Sequence, residues 1–179
     1  MSPEEEIRRA APVVSGLIER GLSIPISVDT FSATVAEALV DVGASLVNDV
    51  SGGSRDPMML PTVARLGVPA VLMHMRGTPQ TMQSQAVYSD VVAETRRELM
   101  ESVARAQSAG VPRWDLIGDP GIGFAKTAEH NVELLRELRR FGRRGEGLGE
   151  FSQFISCPPP ERRLRRGGEK TLGGGAGRL

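Results

Sequence analysis

The 179-residue chain is 40% hydrophobic and 25% charged, and its formal net charge is zero, which is the composition of an ordinary globular domain. No apolar run approaches the ~18 residues of a membrane-spanning helix, and a single cysteine, Cys157, excludes an internal disulfide framework. The N-terminal segment MSPEEEIRRAAP has acidic residues where a secretory signal needs basic ones. We therefore expect no membrane association and a cytoplasmic location, or a mitochondrial or plastid one if a targeting segment is missing.

The first predicted element is an amphipathic helix over residues 2–20. Ser2 and Glu5 have the spacing of a capping box, and Pro3 stands at the first helical position. Gly21 then ends the helix. The apolar residues recur at helical spacing and define the buried face, which is formed by Ile7, Ala11, Val14 and Ile18.

Four short apolar runs follow, and helical stretches separate them. The runs are IPISV at 24–28, SLVN at 45–48, PAVLM at 69–73 and WDLIG at 114–118, and the helices are predicted near 33–42, 57–66, 89–109 and 129–141. Short runs without strict alternation are typical of parallel strands covered on both faces. Trp114 opens the last run and is expected to pack inside the protein. The chain is therefore predicted to be an α/β protein with a parallel sheet.

The last 38 residues, 142–179, differ in composition from residues 1–141. They hold ten of the 21 glycines and eight basic residues against four acidic ones, so they carry +4 and leave −4 for residues 1–141. Such a segment cannot bury enough apolar surface to offset its chain entropy. We therefore expect one folded domain at 1–141 and a disordered tail at 142–179. The tail has no RGG repeat, and nucleic-acid binding is not expected.

Polar residues follow each predicted strand directly. Because parallel strands end at one edge of the sheet, these residues collect at one rim, as in barrel enzymes. An open sheet usually gathers such residues at one switch point, and neither a G-x-G-x-x-G nor a P-loop motif follows any strand. A barrel is therefore favoured. The residues concerned are Asp29-Thr30, Asn48-Asp49, His74-Met75-Arg76 and Asp119.

The chemistry of this rim suits a neutral heterocycle that is rich in hydrogen-bond donors. An ionised aspartate accepts two hydrogen bonds side by side, and an asparagine donates and accepts at once, so a pterin or a guanine-like ring would fit. The two histidines of the chain, His74 and His130, have no carboxylate at a metal-binding spacing, and no metal site is predicted in this chain.

Four segments make a more specific assignment possible. They are ISVDT at 26–30, VNDVSGG at 47–53, VLMHMRGTPQTMQ at 71–83 and DPGIGFAKT at 119–127. In this order and spacing they closely resemble the dihydropteroate synthase family, and the resemblance covers about residues 2–141.

The resemblance implies a (β/α)8 TIM barrel of folate biosynthesis. Family enzymes condense 6-hydroxymethyl-7,8-dihydropterin diphosphate with 4-aminobenzoate to give 7,8-dihydropteroate and diphosphate, with Mg2+ and cationic side chains stabilising the leaving group. The family segments of the type GILNVTPDSFSD, whose Asn contacts the metal, and SRK do not occur in this sequence. The barrel is therefore expected to be incomplete, with about strands 3–6 present, and the chain to be an inactive fragment.

The resemblance also assigns the substrate-binding residues. Asp119 would hold the amino-pyrimidinone edge of the pterin, and Asn48 and Asp29 would bind other ring atoms; the alternative for all three is local capping or turn formation. Met73 would pack on the ring, or belong to the core.

Three residues of the segment DPGIGFAKT are also assigned by resemblance. Gly123 and Phe124 would line the loop near both substrates, with Phe124 as the wall of the aminobenzoate pocket. Lys126 would bind substrate, or be a solvated loop cation. Thr30 and His74 are candidates for the diphosphate side, and the alternative for His74 is a supporting network.

Two alternatives to a synthase stay open. The chain could be a non-catalytic pterin-binding remnant or scaffold that completes its barrel against another chain. A pterin-dependent methyltransferase of similar architecture is a further alternative, although the segment MHMRGTP favours the synthase. Family resemblance also makes a homodimer an expectation.

Overall fold

The computed structural model describes residues 1–141. The predicted disordered tail at 142–179, together with Cys157, lies outside the described residues. No helix within residues 1–141 is long and apolar enough to cross a membrane.

Five α-helices and four β-strands alternate along residues 1–141, in the predicted order. The strands begin later than the apolar runs from which they were predicted. The helices are α1 (Pro3–Glu19), α2 (Ala33–Asp41), α3 (Met59–Leu66), α4 (Val91–Ser108) and α5 (Ala128–Arg136), and the strands are β1 (Ser27–Asp29), β2 (Leu46–Asp49), β3 (Ala70–Met73) and β4 (Leu116–Asp119). Short 3-10 helices span Met82–Gln85, Arg113–Asp115 and Leu138–Phe141.

The four strands form one parallel sheet in the order β1-β2-β3-β4. Each strand is therefore hydrogen-bonded to the next strand along the chain, and a helix lies between them in sequence. A doubly wound sheet would reverse its strand order at a switch point, and the sheet of residues 1–141 does not. Sequential order is that of a (β/α)8 barrel, so these strands form an arc of such a barrel and the predicted fold class is confirmed.

One face of the sheet packs against the helices. Val28, Val47 and Leu72 are buried in a single apolar cluster with residues of α1 to α4. Val28 pairs with Val47, Val47 with Ala70, and Ala70 with Leu116, so the helix-facing positions form one row across the sheet. Because side chains alternate along a strand, the residues next to this row point to the opposite face. That opposite face carries the predicted site.

The N-terminal helix confirms most of its prediction. Ser2 is the N-cap and its Oγ accepts from the Glu5 backbone N–H at 3.4 Å, but the Glu5 carboxylate binds Arg8 and Arg9 and does not complete the capping box. Val14 is buried, whereas Ile18 at the end of the predicted face is 43% exposed.

Trp114 is not packed inside the protein, so that prediction was wrong. The residue belongs to the 3-10 turn Arg113–Asp115 before β4, and it is 78% exposed. Pro112 is the N-cap residue of this turn, and the strand begins at Leu116.

Candidate functional site

The strand register brings four of the predicted residues to the face opposite the helices. Asp29 pairs with Asn48, and Asn48 pairs with Val71 on β3. Two residues further along β3, Met73 pairs with Asp119. Residues two apart on a strand share a face, so Asp29, Asn48, Met73 and Asp119 lie on one surface at the carboxyl ends of the strands.

The side-chain amide of Asn48 has a hydrogen-bonded nitrogen and an oxygen without a partner within residues 1–141. Its Nδ2 donates to Asp29 Oδ1, which orients the amide. Its Oδ1 is buried and has no hydrogen-bond partner within the described part of the chain. Buried polar atoms are nearly always hydrogen-bonded in folded proteins, so this unpaired oxygen is a candidate acceptor for a ligand.

Asp119 is held by the loop that follows β4. Its Oδ1 accepts from the Gly121 backbone N–H at 2.7 Å, and its carbonyl oxygen accepts from the His74 N–H at 2.9 Å, which extends the ladder between β3 and β4. Among residues 1–141 no group donates to Asp119 Oδ2. One carboxylate oxygen is therefore fixed and the other can accept a further hydrogen bond.

Gly121 allows this loop to cross directly over β3. Its φ is +69°, and a Cβ added there would lie 2.0 Å from the His74 carbonyl oxygen and 3.2 Å from Met73 Cγ. The loop therefore covers Met73, which is 5% exposed. Only glycine permits both the positive φ and the close approach.

The next residues of the same loop differ in exposure. Gly123 is exposed, and its N–H donates to Asn131 Oδ1 at 2.8 Å. Phe124 is half-buried, and its carbonyl oxygen accepts from Lys126 Nζ at 2.9 Å. Their contact with substrate stays a prediction.

Lys126 is buried, so the alternative that it is a solvated loop cation was wrong. It is 3% exposed, and its Nζ lies 3.0 Å from His74 Nδ1. His74 is 5% exposed, and its Nε2 lies 2.9 Å from Glu98 Oε2. Because a protonated amine only donates, His74 Nδ1 accepts and the ring proton lies on Nε2, facing Glu98.

The charges in this network shift two pKa values. Burial, followed by the positive charge of Lys126, lowers the pKa of His74, so the ring is neutral at pH 7. Burial lowers the pKa of Lys126 to about 8, although the negative charge of Asp119 opposes this shift. His74 is thus a neutral residue between a carboxylate and a cation.

Sequence reasoning missed Glu94 and Glu98, which complete the network. Arg76 donates to both Glu94 and Glu98, and its guanidinium lies 4.0 Å from the ring centroid of Tyr88. Glu94 and Glu98 are four residues apart and so share one face of α4, which was the available signal. Nothing in the sequence pattern indicated that this face meets β3.

Thr30 follows β1 directly, and it is buried. It is 6% exposed, and its Oγ1 accepts from the Ser32 N–H at 3.1 Å. Its role near the diphosphate stays a prediction, as does that of His74. No group of three His, Cys, Asp or Glu side chains among residues 1–141 is arranged to hold a metal ion.

The low pKa of Lys126 predicts how stability depends on pH. Below about pH 8, folding must bury the charged amine of Lys126. The pKa of this amine is about 8 in the folded state and near 10.5 in the unfolded state, so between these values the folded state has lost the proton and the unfolded state still holds it. The unfolding free energy therefore rises with pH across this range. The rise should total roughly 3 kcal/mol. Lys126→Met should lack it, and Lys170→Met, which removes the other lysine, should retain it. Urea denaturation from pH 7 to 10.5 measures this, and parallel curves for wild type and Lys126→Met would contradict it.

Residues 1–154 match the protein family described as pterin binding enzyme. The chain is 39% identical over 186 residues to the dihydropteroate synthase of Synechocystis, a match that covers 98% of this chain and 64% of that protein. It is 46% identical over 139 residues to the folic acid synthesis protein fol1 of Schizosaccharomyces pombe, which covers 77% of this chain and 19% of that protein.

Solved structures give the same result. The dihydropteroate synthase of Xanthomonas albilineans in complex with 7,8-dihydropteroate superposes with a TM-score of 0.71 at 42% identity, covering 79% of this chain and 50% of that one. The chain spans less than two thirds of the length of each of these three proteins. Because the family match covers most of its residues, the chain belongs to the pterin binding enzyme family, where its relatives include dihydropteroate synthases.

Proposed function

We propose that this chain supplies the pterin-binding part of a dihydropteroate synthase. The observation that carries the proposal is the buried, unpaired Oδ1 of Asn48, on the same face as Asp29 and Asp119. A buried acceptor without a partner is destabilising by roughly 1–3 kcal/mol. An N–H of a pterin ring would satisfy it, while Asp119 Oδ2 accepts from the amino-pyrimidinone edge.

The proposed reaction joins 6-hydroxymethyl-7,8-dihydropterin diphosphate to 4-aminobenzoate. The C–O bond between the pterin methylene and diphosphate breaks, the C–N bond to the aromatic amine forms, and the amine releases a proton. The solved relatives from Xanthomonas albilineans bind 7,8-dihydropteroate and 4-aminobenzoate, the product and a substrate of this reaction. The role of residues 1–141 is to bind and orient the pterin, which lowers the barrier through positioning.

A pterin-binding protein without turnover is the second candidate. The observation that favours it is that Asp29, Asn48 and Asp119, which share one face of the sheet, are all proposed to bind the pterin ring. Three expectations stay predictions: Phe124 as the wall of the aminobenzoate pocket, a homodimer, and a location in the cytoplasm, a mitochondrion or a plastid.

The proposal predicts that the chain binds 6-hydroxymethylpterin and that Asn48→Leu weakens binding by roughly tenfold. The same change removes the unpaired buried oxygen and also the Nδ2 donor to the exposed Asp29 carboxylate, so the two effects oppose each other and the unfolding free energy should change little. Asn131→Leu is the contrast, because it removes a satisfied acceptor of the Gly123 N–H and should lower stability. Fluorescence titration and urea denaturation measure the two quantities. Failure of the wild-type chain to bind the pterin would refute the proposal.

Turnover can be tested in a chimera that carries residues 1–141 in place of the matching segment of the Synechocystis synthase. With pterin diphosphate, 4-aminobenzoate and Mg2+, it is expected to form dihydropteroate, and a sulfonamide should inhibit the reaction. A folded chimera that binds the pterin and forms no product would support the second candidate.

A further inference from the structure

The loop after β4 contains a residue in an unfavourable backbone conformation. Ala125 has a φ of +51°, and it is the one non-glycine residue among residues 1–141 with a positive φ. It is fully buried. For residues with a Cβ this left-handed conformation is unfavourable and persists only where surrounding contacts enforce it.

Hydrogen bonds hold the backbone at Ala125 and at the residue before it. The Tyr88 hydroxyl donates to the Ala125 carbonyl oxygen at 3.0 Å. Lys126 Nζ donates to the Phe124 carbonyl oxygen at 2.9 Å and approaches His74 Nδ1. The Lys126 side chain is thus buried next to Ala125, and Tyr88 and His74 contact the loop from the segment after β3.

Tyr88 is itself fixed from two directions. The Arg76 guanidinium lies over its ring, 4.0 Å from the centroid, and the His130 ring meets it edge-on at 5.1 Å. Arg76 is anchored in turn by Glu94 and Glu98 of α4. These contacts fix the position of the Tyr88 ring and therefore of its hydroxyl. Removing the hydroxyl would leave the ring contacts in place.

We propose that Tyr88 is a positioning residue: its hydroxyl, together with Lys126, holds Ala125 in the left-handed conformation, and this conformation sets the geometry in which Asp119 and Gly123 meet the pterin. The link to the site is the loop itself. Gly121, four residues before Ala125, donates to Asp119, and Gly123 is tied to Asn131 at the start of α5. The second half of this inference rests on the proposed function.

The first test needs no ligand. Hydrogen exchange of the backbone amides in residues 119–127 should become roughly threefold to tenfold faster in Tyr88→Phe, which is the effect of one lost hydrogen bond. Ser84→Ala is the matched control, because its hydroxyl donates to Thr81 within the segment after β3 and does not reach the loop. Unchanged exchange in Tyr88→Phe would overturn the inference.

A second variant separates this role from a general loss of packing. Glycine adopts a positive φ without penalty. In Ala125→Gly the hydrogen bond from the Tyr88 hydroxyl is therefore less necessary for holding this conformation. In the Ala125→Gly background, Tyr88→Phe should accelerate exchange by less than about twofold. An equal effect in both backgrounds would show that the hydroxyl acts independently of the strained residue, and would also overturn the inference.

The consequence for the site is tested with 6-hydroxymethylpterin. Tyr88→Phe should weaken binding roughly threefold to tenfold, and the Ala125→Gly background should restore most of the loss. Faster exchange with unchanged pterin affinity would refute the link to the pterin. If the wild-type chain takes up no pterin, the proposed function fails, while the exchange data still decide whether Tyr88 positions the loop.

Discussion

Replacing Gly121 with alanine is expected to weaken pterin binding by roughly 100-fold or more. The added Cβ would lie 2.0 Å from the His74 carbonyl oxygen, and the φ of +69° would be strained for alanine. Backbone strain and overpacking each amount to about 1–3 kcal/mol, and a loss of ~3 kcal/mol corresponds to roughly 100-fold in affinity. The loop would have to move off β3, which withdraws the Gly121 N–H from Asp119.

The matched control for this prediction is Gly67→Ala. Gly67 ends α3 with a φ of +63°, but a Cβ there meets no atom within 4 Å. It therefore shares the conformational strain and lacks the clash, so it should lower the melting temperature slightly and leave pterin affinity unchanged. Calorimetric titration and thermal melting of both variants separate the two effects. Equal pterin affinity in wild type and Gly121→Ala would show that the loop does not position Asp119.

The fold and the face of the site could be predicted from residues near each strand end. Asp29, Asn48 and Asp119 stand directly at the carboxyl ends of apolar runs. Parallel strands bring their carboxyl ends together at one edge of the sheet, so these residues could be placed there without knowledge of the helix packing. Side chains alternate between the two faces of a strand, so the strand register then determines which face these residues share. The helix ends followed from local signals, such as Ser2 before Pro3 and glycine after a periodic run.

The buried network could not be predicted in the same way. Lys126 is buried next to Ala125, which has a positive φ, a conformation that an alanine gives no reason to expect. Glu98 lies 24 residues from His74 and meets it only because α4 packs beside β3. Trp114 shows the opposite error, because its place at the start of an apolar run predicted burial where a 3-10 turn exposes the ring.

The Asp119→Asn variant should weaken pterin binding more than tenfold. Asp119 Oδ1 is occupied by the Gly121 N–H, and Oδ2 is the acceptor proposed for the pterin edge. An asparagine keeps one acceptor oxygen and presents an NH2 group at the other position, so it either loses the bond to the pterin or directs a donor at the Gly121 N–H. A lost hydrogen bond to a charged group amounts to about 1.5–3 kcal/mol, which is roughly tenfold to 100-fold in affinity.

A second readout distinguishes a charge effect from a general disturbance of the loop. The charge of Asp119 raises the pKa of Lys126, which burial lowers to about 8, so Asp119→Asn should lower that pKa further. Asp90→Asn is the control: Asp90 caps α4 from an exposed position, asparagine caps equally well, and both pterin affinity and the Lys126 titration should stay as in wild type. Calorimetry gives the affinity, and NMR titration of the lysine amine gives the pKa. Unchanged affinity in Asp119→Asn would remove Asp119 from the site, even if the Lys126 titration moved as expected.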